Sequence, residues 1–237
     1  MNSESQMGNK VSLFKKIRGK VRHGLTLQGI RYVLIKIGIE FSPYYLFQEG
    51  INVKEIPEIK GMDTDYSCEL LKAEDMKVIG AINYAGFSEE KLLAFLKAGE
   101  QCLGIKRNNE IVAFMWMNFN ELNYKSTIIH LKENEAYLWF MYTRDSYRGK
   151  NLAPYLRYKS YEMLKQMGRD KLYSVSDYFN SPAVIFKKKL NAQKLKLILF
   201  VQFFNKVHHT YTLKSNYSAL YDSTFSAPCL HRNIFII

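Results

Sequence analysis

Ala136-Tyr-Leu-Trp-Phe-Met-Tyr142-Thr-Arg-Asp-Ser-Tyr-Arg148-Gly149-Lys150-Asn151-Leu152-Ala153 is the stretch on which the fold turns. Its first six residues form an apolar run that reads as a buried strand. A short Arg/Gly turn follows, and the chain then enters a helical pattern from Leu152 to about Met167, ended by Gly168. Backbone N–H groups at a helix start have no partner within the helix. The helix dipole adds partial positive charge at the same point. A strand, a turn and a helix start in this order make an anion site, and Arg148 and Lys150 set full charges at its rim. Pro154 is compatible with this reading, because the first helical turn tolerates proline.

Around this centre the elements are short and alternate in type. Ser67 to Leu71 reads as a strand, and Ala73-Glu-Asp75 opens a helix with acids in its first turn. Ser88 is an N-cap candidate for the next helix. Gln101 to Lys106 and Glu110 to Phe119 read as strands joined through Asn108-Asn109, a hairpin signal. Ser126 to Leu131 is a further strand candidate. After the central helix come a strand at Lys171 to Ser176, a helix opened by Asn180-Ser-Pro-Ala183, and a terminal hairpin, Lys194 to Phe204 with His208 to Lys214, around Asn205. Strands outnumber helices and mostly follow one another. The fold class expected is α/β (α+β): a mixed, largely antiparallel sheet flanked by helices, with an N-terminal helical extension.

That extension is the second feature. Apolar residues from Val11 to about Glu40 recur at helical spacing, with Gly24 and Gly29 as expected breaks and Ser42-Pro43 as the end. Tyr44 to Phe47 reads as a short edge strand, and Val53 to Asp65 as a linker. The domain organisation expected is 1–65 extension and linker, 66–215 main domain, and 216–237 tail.

Composition narrows the class. Hydrophobic content of 47%, with 17 Tyr and 15 Phe, is enough for a core and excludes a disordered chain. Three widely spaced cysteines, Cys68, Cys102 and Cys229, make neither a disulfide framework nor a zinc site. No metal is expected: His130, His208 and His209 have no carboxylate at ligand spacing. No secretory h-region or membrane-span-length apolar run is present, so a cytoplasmic protein is expected, with the inner face of the membrane as an alternative position. The net charge of +12 is concentrated before residue 41 and between Lys187 and Lys214. It suits solubility, an anionic ligand, or peripheral contact of residues 11–40 with anionic membrane. No nucleic-acid-binding signature accompanies it.

Arg148-Gly149-Lys150-Asn151-Leu152-Ala153 resembles the R/Q-x-x-G-x-G/A signature of the GNAT superfamily of acyl-CoA-dependent N-acyltransferases, with Asn151 where the second glycine is usual. Asn tolerates left-handed backbone better than most residues. The downstream order of helix, strand and Asn-x-x-Ala helix is similar too, and the resemblance spans roughly residues 66–213. It implies that coenzyme A is held by Met141, Tyr142, Thr143, Arg148, Gly149, Lys150, Asn151, Leu152, Ala153, Asn180 and Ala183. Asn180 is otherwise an N-cap, although Ser181 followed by Pro182 fits cap and first helical position better.

The chemistry of transfer is less marked. Many members of the family place a Tyr four residues beyond the Ala of the Asn-x-x-Ala motif, where this chain has Lys187. Lys187 is either a desolvated acid or a solvated lysine; Tyr178 and Tyr142 are other phenols for the role. Glu133, Glu135 and Asp177 are candidates for a base, each with a solvated turn acid as the plain alternative. A mechanism without a dedicated base also stands, because alignment of bound reactants carries much of the barrier. The N-terminal stretch joined to a GNAT-like half resembles bacterial enzymes that acylate nucleotide-linked amino sugars for surface polysaccharide. The resemblance implies a dTDP-3-amino-3,6-dideoxyhexose as acceptor and acetyl or 3-hydroxybutanoyl as the acyl group. A peptide or protein amine is the alternative acceptor, and a non-catalytic CoA-binding or membrane-surface module the alternative class.

Overall fold

The structure, a computed structural model, describes residues 25–50, 53–61, 66–82, 86–204 and 206–215. The expected helix over residues 11–24, Cys229 and the tail from residue 216 lie outside them. The first described helix, α1 (Leu25–Lys36), runs through Gly29 rather than breaking there. Gly38, at φ 80°, turns the chain into β1 (Ile39–Glu49). Then follow β2 (Tyr66–Leu71), α2 (Ala73–Ile82) and α3 (Glu89–Lys97), the last capped by Ser88, whose side chain accepts from the Lys91 N–H. β3 (Gln101–Arg107) and β4 (Glu110–Asn118) form the expected hairpin, and Asn108 and Asn109 both take the left-handed backbone that a tight turn requires.

β5 (Glu121–Tyr124) and β6 (Thr127–His130) pair only with each other. β7 (Glu135–Thr143), α4 (Leu152–Gln166), β8 (Lys171–Asp177), α5 (Ser181–Lys189), β9 (Gln193–Phe203) and β10 (Val207–Ser215) complete the order. Eight strands make one sheet in the order β10-β9-β1-β8-β7-β4-β3-β2. Every neighbouring pair is antiparallel except β7–β8.

β1 is therefore an interior strand, not the edge strand its short apolar run suggests. It pairs with β9 from Ile39 to Gln48 and with β8 from Tyr44 to Glu49. The interior position tolerates Pro43 for a geometric reason. The N–H and C=O of one strand residue point the same way, and the Pro43 carbonyl accepts the Tyr178 N–H at 2.9 Å. The missing N–H thus faces the space beyond Asp177, where the β8 ladder has ended.

The core has two sides. On one, Leu152, Leu156, Tyr161 and Leu164 of α4 bury against Ile105, Ala113, Met115 and Leu138 of the sheet. On the other, Met76, Ile79 and Leu92 of α2 and α3 pack against Phe114, Trp116 and Trp139. The β5–β6 hairpin covers Tyr137 and Tyr173 on that same side.

Candidate active site

The parallel pair β7–β8 holds together only at Glu135–Lys171, Ala136–Leu172 and Tyr137–Tyr173. Past that point the strands part, and a cleft of about 800 Å³ opens between them. Its walls are β7 from Leu138 to Thr143, the loop from Tyr147, the first turn of α4, the end of β8 and the first turns of α5. Phe140 shapes the β7 wall. The register with β4 steps from Met115–Met141 to Trp116–Trp139, so Phe140 is the extra residue of a bulge, and its φ is 38°. Left-handed backbone at an aromatic residue costs on the order of 1–2 kcal/mol, and such strain gathers at functional sites.

The loop after β7 is built for an anion. Arg144 N–H returns to Val112 O, a 3₁₀ turn spans Asp145–Tyr147, and Gly149 and Asn151 both adopt positive φ, 81° and 67°. Among the described residues, the N–H groups of Gly149, Lys150, Asn151, Leu152 and Ala153 find no backbone acceptor. The loop's other side is tied down: Lys150 O accepts the Lys60 N–H at 2.9 Å, and Asn151 Nδ2 donates to Glu58 O at 2.7 Å. Nothing lies within 4 Å of where a Cβ on Gly149 would stand. The result is a row of outward donors at a helix N-terminus. Arg148 is at the rim, paired with the exposed Asp145 at 2.8 Å. Lys150 departs from expectation: its ammonium sits 5.1 Å from the Tyr147 ring centre, and the residue is not among the cleft walls. The other ten residues expected at coenzyme A do line the cleft.

The model of the acetyltransferase (GNAT) family matches residues 61–191, more than half of the chain. The chain belongs to the GNAT family. Among solved structures, a Drosophila protein aligns at TM-score 0.52 and 13% identity, over 77% of this chain and 58% of its own. An acetyltransferase of the GNAT family from Colwellia psychrerythraea aligns at TM-score 0.50 and 14% identity, over 74% of this chain and 61% of its own. This GNAT chain thus spans less than two thirds of the length of either, and the likeness is one of fold. No curated protein matches the sequence.

At the inner end of the GNAT cleft lies a buried charge cluster that no local sequence signal announces. Glu49, at the end of β1, is wholly buried. Its carboxylate accepts from Tyr161 Oη at 2.6 Å and from Ser174 Oγ, and lies 3.3 Å from Lys187 Nζ and 3.5 Å from Arg157 Nε. Lys187 Nζ donates to Ser174 Oγ at 2.6 Å and to Val175 O at 3.2 Å. Burial alone raises a carboxyl, but Arg157, Lys187 and the two hydroxyls together bring Glu49 down to about 2. Burial, with Arg157 nearby, pulls Lys187 down to about 8 against the pull of Glu49. The solvated reading of Lys187 is thereby overturned: it is 2% exposed and lines the cleft.

The remaining candidates separate. Asp177 lines the cleft and also a second pocket of about 460 Å³ that it shares with Asn180 and Pro182. Its carboxylate accepts from Arg31 Nη1 at 2.6 Å and from the Phe179 N–H at 2.9 Å. Tyr142 is a cleft wall. Tyr178 is exposed, stacks on Tyr45 at 5.4 Å and is not a wall. Glu135 sits buried at the closed end of the β7–β8 pair, where it accepts from the Lys132 N–H and Tyr173 Oη, away from the cleft. Asn180, not Ser181, caps α5: its side chain accepts the Ala183 N–H at 3.2 Å, which moves Pro182 to the second helical position. Cys102 is buried and its thiol pushed well up by burial, as an inert core residue would be. Among the described residues no group of His, Cys, Asp and Glu is placed to hold a metal, and no helix is long and apolar enough to cross a membrane.

Proposed function

We propose that this GNAT chain is an acyl-CoA-dependent N-acyltransferase. One arrangement carries the reading: a single cleft between parted parallel strands has a row of orphan N–H donors at its mouth and a buried ammonium at its inner end. The donors of residues 149–153 fit a diphosphate, with Arg148 turning from Asp145 to meet it. The β7 wall presents main chain to the amides of an extended arm. Acyl-CoA, when bound, supplies the activated thioester carbonyl. Lys187, near pKa 8, is matched to give its proton to a departing thiolate. Asp177 stands at the junction of cleft and second pocket, where it can take the proton of an incoming amine.

The acceptor we propose is a nucleotide-linked amino sugar of the dTDP-3-amino-3,6-dideoxyhexose kind, acylated with acetyl or 3-hydroxybutanoyl for surface polysaccharide. The second pocket supports it, with Arg31 and Tyr32 of α1 beside Phe179 offering a cation and rings to a nucleotide. The strongly basic chain argues against a basic peptide as acceptor.

Calorimetric titration of CoA tests the core of the reading. Saturable binding is expected, weakened about 10- to 100-fold by Arg148→Ala, as the loss of one charge-assisted hydrogen bond implies. Absence of binding to the folded protein would overturn it. Thiol release across nucleotide-linked amino sugars and peptide amines then tests the acceptor, and turnover with peptides alone would replace the sugar.

A further inference from the structure

The cluster at the inner end of the cleft is not neutral. It buries one carboxylate, Glu49, with two cations, Arg157 and Lys187. Glu49 is fully engaged, and Lys187 has two hydrogen-bond acceptors as well as its ion pair. Arg157 is not satisfied. It is 3% exposed, yet its Nε and Nη1 are buried without a hydrogen-bond partner, because the 3.5 Å approach of Nε to Glu49 lacks hydrogen-bonding geometry. A guanidinium carries five donors, and buried ones are normally paired. Among the cleft walls, Lys60, Arg148, Arg157, Lys187 and Lys189 stand against Asp177 as the sole carboxylate.

Arg157 is also set apart from the anion loop. It lies five residues past Leu152 on α4, roughly 7–8 Å farther along the helix axis. On the acyltransferase reading the loop donors take a diphosphate at the mouth, and the unspent guanidinium is deeper, beside the Glu49–Lys187 pair. Nε faces Glu49, so Nη1 is the donor left over, and a carboxylate oxygen is a strong acceptor for a guanidinium N–H.

We propose that Arg157, with Lys187 beside it, is a buried receptor for a carboxylate carried at the reacting end of one substrate. The proposal rests on the acyltransferase reading alone, and a carboxylate substrate would stand in place of either the 3-amino-3,6-dideoxyhexose or the acetyl or 3-hydroxybutanoyl group proposed above. The carboxylate belongs either to the acyl chain, as in a succinyl or malonyl donor, or to the amine, as in an aminohexuronate or an amino acid.

Calorimetry on the full chain separates the sources. The donor arm compares succinyl-CoA with acetyl-CoA. The acceptor arm, on CoA-saturated protein, compares an aminohexuronate with the neutral aminohexose and an amino acid with its amide. On one arm the carboxylate form is expected to bind at least about tenfold more tightly, the size of a charged hydrogen bond. That ratio falls toward one in Arg157→Gln and is partly restored in Arg157→Lys. Equal binding on both arms in the wild-type protein overturns the proposal, with no variant needed. A preference that survives in Arg157→Gln overturns the assignment to Arg157. If CoA itself does not bind, the acyltransferase reading fails separately, and the acceptor arm repeated on free protein still decides whether the cluster receives a carboxylate.

Discussion

Asn151 shows how a residue that breaks a motif can keep its geometry. Its backbone is left-handed, as glycine's would be, and its side chain adds a hydrogen bond to Glu58 O. Asn151→Gly is therefore expected to leave CoA affinity within about fivefold of wild type, since a net hydrogen bond to the loop is worth only about 1 kcal/mol. Asn151→Val must strain a β-branched residue at φ 67°, at about 1–2 kcal/mol or more. Titration of both variants should show weakened binding in the valine form alone. Lys187 makes a second case. As the acid it must be protonated, so kcat is expected to fall above about pH 8 as that proton is lost. Lys187→Met should lower kcat by about 10²-fold and abolish this alkaline limb in a pH–rate profile. A merely structural lysine would leave the limb in place. The loop was legible in the sequence because strand, turn and helix start are consecutive. Arg157 and Glu49 were not, because they meet only when β1, α4 and α5 pack, and nothing in either's neighbours marks it. The cap of α5 was not legible, because proline suits the first helical turn generally and the sequence alone does not say which position it holds; Asn180 is both that cap and a cleft wall.

Among the elements, the strand after α1 was the hardest to place. Its aromatic run read as a short edge strand and its proline as the end of a helix, whereas its register is set by β8 and β9, far along the chain. The β3–β4 hairpin was plain from Asn108-Asn109, and the β5–β6 pair went half seen because four-residue strands leave little periodicity. β2 and β3 meet closely at Gly104. A Cβ on Gly104 would stand 2.6 Å from Leu71 Cδ1 and 2.7 Å from its Cγ, and Leu71 is buried. Gly104→Ala is expected to cost about 1–3 kcal/mol through overpacking, read as a shift in the urea midpoint with an unchanged slope.

For the molecule as a whole, the buried cluster links stability to acid. Glu49 falls to about 2 in the folded state from an ordinary 4.5, so its contribution is complete above pH 4.5 and is lost as pH falls toward 2. Lys187 moves the other way: the unfolded chain binds the extra proton between pH 8 and 10.5, so this residue costs stability at neutral pH and relieves that cost as pH rises through the window. The two shifts oppose each other, so the cluster positions charge more than it stabilises the fold. A thermal-melt series from pH 6 to pH 2.5 should show Tm falling most steeply below pH 4.5, and Glu49→Gln should flatten that limb while lowering Tm at pH 7.

The interior place of β1 also sets an order of events during synthesis. Glu49 leaves the ribosome long before Leu172, its partner across the sheet. At roughly 5–20 residues per second the wait is on the order of ten seconds. Throughout it, an aromatic strand with two unfilled edges stands ready to pair with any other nascent chain. Pro43 and the charged Glu40 and Glu49 within that strand are the features that would blunt such pairing, so the proline that disguised the strand in the sequence also guards it while it waits.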